Sequence, residues 1–182
     1  MVLKLTFIII SLTLFENVVD AQGINIDSIY WNKNYKLKWS DFQGVSPSDN
    51  TWKAVSYASI DARGYMDGGL PKYRVINAFL RKKSWTIDAL SMDLLEHEQL
   101  HFDIAELYAR KIKKTIEDLR RKKIKNYDRY EPLILRLMHE RQAMDVKYDN
   151  ETHHSMNVEA QSVWCKMIAI ELDKLKKYAS DR

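Results

Sequence analysis

The sequence predicts an α+β protein: a small N-terminal antiparallel sheet, then a long helix, followed by two more helices. Three observations carry this reading. Lys53 to Gly64 and Tyr73 to Lys83 alternate in polarity with the strand period and are separated by a glycine-rich turn. From about Asp88 to Lys123, apolar residues recur at every third and fourth position, the stripe of an amphipathic helix. Two more helical patterns follow Asn126, with no second set of strands and no internal repeat.

The chain has 182 residues, 46% hydrophobic and 30% charged, which suits one globular domain. It opens with Lys4, an apolar run from Leu5 to Phe15 and a small-residue ending at Val19-Asp20-Ala21, the pattern of a removable export signal. Residues 1–21 are therefore read as a signal peptide and residues 22–182 as one domain, placing the protein in the periplasm or outside the cell. An uncleaved anchor or a buried N-terminal strand are the alternatives. Cys165 is the only cysteine, so no internal disulfide can form even in an oxidising compartment. The net charge of +4 rises to about +5 without the segment that holds Lys4, Glu16 and Asp20. That charge permits a weak contact with an anionic envelope surface. No glycine-rich phosphate loop and no interleaved basic and aromatic pattern points to nucleic acid.

In chain order, Gln22 to Tyr35 reads as an irregular or strand-like lead-in, and Leu37 to Gly44 alternates and then turns. Ser46-Pro47-Ser48-Asp49-Asn50 is a loop by composition. In the first strand Ala54, Ser56, Ala58, Ile60 and Ala62 share a face; in the second Ile76, Ala78 and Leu80 do. Gly64 to Pro71 turns the chain between them, too short for a parallel crossover, so the pair is antiparallel. The long helix spans about 36 residues, or ~54 Å, with a basic second half (Arg110 to Lys123) read as a solvated face. Pro132 opens a second helix with Ile134, Leu137, Met144 and Tyr148 in its stripe. Tyr148 to Ser155 interrupts the pattern. A third helix follows from about Met156 to Tyr178, with Val158, Cys165, Ile168, Leu172 and Leu175 inward.

The long helix contains His97-Glu98-Gln99-Leu100-His101. Residues four apart lie about 40° from each other around a helix, so both imidazoles can reach one ion. Glu98, about 100° from His97, can hold and deprotonate a zinc-activated water. The stripe Leu90, Leu94, His97, His101, Ile104, Tyr108, Ile112 puts both histidines where apolar residues are expected. Burying them with a carboxylate costs on the order of several kcal/mol unless partnered, and a divalent cation is an efficient partner. The alternative is a pair of core histidines hydrogen-bonded to polar neighbours.

Leu37-Lys38-Trp39-Ser40-Asp41-Phe42-Gln43-Gly44, Leu94 to Asp103, and Tyr148 to Ser155 with Gln161 and Trp164 together resemble the bacterial domain-of-unknown-function 922 family, described as secreted zinc-dependent proteases. The resemblance covers essentially the whole mature chain. Leu100 departs from it, since a small residue is expected before the second histidine. The resemblance implies a zincin-like fold, in which the small antiparallel sheet packs on the metal-binding helix and an edge strand of that sheet aligns an extended peptide over the metal.

A catalytic zinc takes three protein ligands and one open position. The segment Tyr148 to Ser155 is placed to supply the third, because the helical arms on either side of Asn126 nearly match, about 25 and about 28 residues. His153, His154 and Glu159 are the candidates, and adjacent histidines do not both reach one ion without strain. The resemblance selects His154, with Asp149 as a capping or supporting residue. Tyr148 or His153 is a candidate donor to the reacting oxyanion. The expected protein is thus a secreted metallohydrolase with Zn²⁺ on His97, His101 and His154 and with Glu98 as general base, acting as a peptidase on peptide or peptidoglycan-type substrates. The rivals are a binding module with a closed structural zinc and an envelope-associated structural protein that works through its basic helices.

Overall fold

A computed structural model describes residues 27–48 and 51–181; the segment read as a signal peptide lies outside them. The fold is α+β. Strand β1 (Ser28–Tyr30) is followed by β2 (Ala54–Val55), β3 (Ala58–Asp67), β4 (Leu70–Leu80) and β5 (Trp85–Thr86). The helices are α1 (Met92–Arg121), α2 (Glu131–Thr152) and α3 (Val158–Lys174). The main sheet has the order β1-β4-β3, antiparallel throughout, and β2 and β5 form a separate antiparallel pair.

The β3–β4 hairpin closes on Gly68 and Gly69 between the paired residues Asp67 and Leu70. Both glycines have positive φ, +59° and +74°, as a two-residue turn matched to strand twist requires. The register sets Ala58, Ile60, Ala62 and Gly64 beside Phe79, Asn77, Val75 and Tyr73. In β4 the more deeply buried set is thus Tyr73, Val75, Asn77 and Phe79, while Ile76 and Leu80 are half-buried. The single strand expected from Lys53 to Gly64 is broken at Ser56 and Tyr57. Ser84 causes the break: its hydroxyl accepts from Tyr57 N and donates to Leu80 O, both at 2.9 Å, and β2 turns away to pair with β5.

Helix α1 spans 30 residues, about 45 Å, and everything else packs around it. It starts later than its periodicity suggests, because Ser91 caps it by accepting from Leu94 N at 3.2 Å, and Leu90 falls outside at 92% exposure. Leu100, Ile104, Leu107, Ile112 and Ile116 enter the main core with Tyr73, Val75, Ile134, Tyr148, Trp164 and Ile168. Leu95, Phe102 and Ala105 enter a second cluster with Leu37, Phe42 and Phe79. Gln99 fastens the Leu37 segment to the helix, accepting from Leu37 N at 2.8 Å and donating to Asp103 at 3.0 Å. The basic half is less solvated than expected. Arg110 is buried, donating to Glu106 at 2.8 Å and to Leu172 O at 2.5 Å, and Arg120 donates to Pro71 O at 2.8 Å.

Helix α2 runs through Thr152, so Tyr148 and Asp149 are helical rather than part of a loop. Thr152 is buried and its hydroxyl donates back to Tyr148 O at 2.7 Å, which holds the last turn despite its polar composition. His153, His154 and Ser155 then take successive left-handed conformations. Asn157 caps α3 by accepting from Ala160 N, which leaves Val158 exposed rather than inward. Among the described residues no helix is long and apolar enough to cross a membrane.

Candidate metal centre

Helix α1 presents His97 and His101 one turn apart against the last two turns of α2. His97 is 2% exposed. Its ring stacks on Tyr148, with centroids 4.5 Å apart and planes at 21°, while His101 meets the same tyrosine edge-on at 5.0 Å. Tyr148 is a fully buried platform, and its hydroxyl donates to Gln161 Oε1 at 2.6 Å, with His97 O at 3.2 Å as a second acceptor. Burial raises the pKa of that hydroxyl far above the ordinary phenol range, so it stays protonated and acts as a donor.

The two rings are held from behind. His101 Nδ1 lies 3.0 Å from Asp145 Oδ1, and His97 Nδ1 lies 3.3 Å from Gln161 Oε1. Both partner atoms are acceptors, which places the proton of each neutral ring on Nδ1 and a lone pair on Nε2. The Nε2 atoms of His97 and His101 each stand 3.0 Å from Asp149 Oδ1. These three atoms, all within 4.8 Å of one another, are lone-pair donors facing a common point. Such a cluster needs positive charge, either protons or a cation. Burial lowers the His101 pKa, but hydrogen bonds to Asp145 and Asp149 outweigh it and push the value up to about 10. Burial raises that of Asp149, yet its bonds to His101 and His97 hold it well below the carboxylate range. Two imidazoles and a carboxylate are the donor set of many catalytic zinc sites, so the residues present fit that ion.

Glu98 completes the group. It is 4% exposed, and among the described residues its carboxylate accepts no hydrogen bond, although Ser56 donates to its backbone oxygen at 3.1 Å. It lines a cleft of about 550 Å³ together with His97, His101, Asp149, Asp145, Arg141 and strand β2.

The structure brings His97, Glu98 and His101 together as the motif requires. His154 reaches the same cleft but stands outside the three-atom group: its Nδ1 is 3.7 Å from Asp149 Oδ1 and its ring packs on Trp52 at 4.3 Å. His153 and Glu159 are exposed and do not line the cleft. Tyr148 faces the backs of the histidines, so its hydroxyl does not serve as a donor in the cleft. Asp149, read from sequence as a supporting residue, occupies the third donor position, and Asp145 and Gln161 provide the support. Asp145 and Asp149 are four apart, matching His97 and His101 across the interface. That pairing of two i,i+4 sets on adjacent helices was the available signal.

The fold and site define an α+β protein with a candidate mononuclear metal centre between two helices. The chain belongs to the family described as "Bacterial protein of unknown function (DUF922)", whose model matches residues 34–155 and thus includes the helical histidines, Asp145, Asp149 and His154. No curated protein and no solved structure matches the chain.

Proposed function

We propose that the protein is an exported zinc-dependent hydrolase of peptide bonds, with His97, His101 and Asp149 as metal ligands and Glu98 as general base. The observation that carries this reading is the convergence of three lone-pair donors beside the Glu98 carboxylate, which lines the same cleft and accepts no hydrogen bond among the described residues. Bound there, zinc supplies Lewis acidity to a water molecule and to the substrate carbonyl. Glu98 accepts the proton of the attacking water and returns it to the leaving amine. Asp145 and Gln161 keep both rings in the Nδ1–H form throughout. Strand β2 pairs with β5 along one edge and lines the cleft, so an extended peptide or peptidoglycan stem can add to its other edge. In this reading the metal-binding helix and the strand beside it work together as they do in a zincin.

Metal analysis of the mature protein, paired with cleavage of a degenerate peptide library, tests this reading. Zinc is expected at about one ion per chain, with the N-terminus at Gln22 in protein recovered from an exporting host. Glu98→Gln should keep the zinc and lose on the order of 10²–10⁴-fold in turnover. Zinc without any hydrolysis would make the site structural, and full turnover in Glu98→Gln would exclude Glu98 as the base.

A further inference from the structure

The cleft contains a cation that the proposed chemistry does not use. Arg141 projects from α2 one turn before Asp145, and its side chain is only 20% exposed. Its Nε is 2.7 Å from Asp145 Oδ2, but the approach is too poorly aligned to form a hydrogen bond, and this nitrogen is buried without a partner. Among the described residues the guanidinium makes no hydrogen bond at all, yet Arg141 lines the cleft beside His101 and Glu98. A guanidinium retained to support Asp145 would be expected to use its fork on both carboxylate oxygens. Here it makes one edge contact and leaves the fork free. The other strong cation on the cleft, Lys53, is 70% exposed and paired with Asp88 at 3.4 Å. Asp145 is already shared with His101, so its charge does not saturate Arg141.

We infer that Arg141 is the carboxylate-recognition residue of the cleft, so that preferred substrates carry a free carboxylate next to the bond to be cut. This rests on the hydrolase reading above. A planar fork with unused N–H groups matches a carboxylate in two parallel hydrogen bonds, and its position on the cleft wall, two turns along α2 from the ligand Asp149, places that anion to one side of the reacting carbonyl. The carboxylate can be the chain terminus of a short peptide or an acidic side chain.

The test uses zinc-loaded full-length mature protein and three degenerate hexapeptide mixtures. One has free C-terminal acids, one has amidated ends and no acidic residues, and one has amidated ends with internal Asp and Glu. Wild-type protein should cleave at least one carboxylate-bearing mixture about tenfold or more faster, by kcat/KM, than the neutral one. Which of the two is favoured identifies the source of the carboxylate. Arg141→Gln should bring the ratio close to one, and Arg141→Lys, which keeps the charge without the fork, should retain a reduced preference. Because the ratio is taken within each variant, loss of folded or metal-loaded protein does not change it. Should Arg141→Gln fail to fold, the reduced ratio in Arg141→Lys carries the test. A wild-type ratio near one, or a ratio unchanged by both substitutions, overturns the inference while leaving the hydrolase intact. Absence of cleavage of all three mixtures removes the hydrolase reading and this inference with it.

Discussion

Asp145 Oδ1 lies 3.0 Å from Nδ1 of His101, one helical turn before the carboxylate that faces the other nitrogen of the same ring. Asp145 is therefore placed to orient the ring from the side away from the candidate metal position. Asp145→Ala is expected to lower zinc affinity about 10–100-fold. Asp145→Asn keeps an acceptor oxygen and should lose less. Competition against a chromophoric chelator reads all three affinities, and equality among them would remove Asp145 from the site.

The third ligand is decided by the same assay. Asp149→Ala should cost as much zinc affinity as His97→Ala or His101→Ala, because its oxygen stands opposite both Nε2 atoms. His153→Ala and Glu159→Ala should bind zinc as wild type does. His154→Ala should show a smaller loss, on the order of tenfold, since His154 reaches the oxygen of Asp149 from 3.7 Å. A loss in His154→Ala equal to that in Asp149→Ala would make His154 a ligand in its own right.

Tyr148→Phe keeps the ring under both imidazoles but removes the hydroxyl that serves Gln161 Oε1 and His97 O. The expected cost is about 1–2 kcal/mol in urea unfolding of the metal-free protein. Tyr148→Ala also empties the platform and should cost about 3–5 kcal/mol. Similar losses in the two variants would show that the hydroxyl, not the ring, is the anchor.

Cys165 should be a poor nucleophile. Burial, reinforced by the neighbouring charge of Glu96, pushes its thiol up to about 11. At pH 8 only about one thiol in a thousand is then ionised, and labelling by a maleimide or disulfide reagent should run roughly tenfold or more slower than in a short peptide. The rate should rise with each pH unit up to about pH 10. Peptide-like labelling at pH 8 would contradict the burial that raises this thiol.

The helical histidines were legible because an i,i+4 pair in an otherwise apolar stripe reports its own geometry. Asp149 was not, because Tyr148-Asp149-Asn150-Glu151-Thr152 has the composition of a loop. What makes it helical is the buried back-bond of Thr152 and the packing of Tyr148 beneath the rings, and the second of these joins residues 51 positions apart. The break between β2 and β3 was hidden for the same reason: it is imposed by Ser84, 27 residues away. The hairpin was readable as a turn, but its boundaries came out too wide, since only Gly68 and Gly69 leave the strands. Leu100, unusual beside the family pattern, is accounted for by its burial in the main core.

Because His101 and Asp149 lie 48 positions apart, an ion held between them ties the chain into a closed loop containing the α1–α2 hairpin. In a protein with one cysteine such a tie would do the work that a disulfide does elsewhere. A covalent link closing a loop of that length removes enough unfolded-chain freedom to be worth about 4 kcal/mol in the chain-entropy picture. The knot is also reversible: chelation unties it without any redox chemistry, and refilling restores it. Under the proposed reading, the lifetime of the folded protein would follow the free metal concentration around it, with scarcity of zinc ending hydrolysis and loosening the scaffold together.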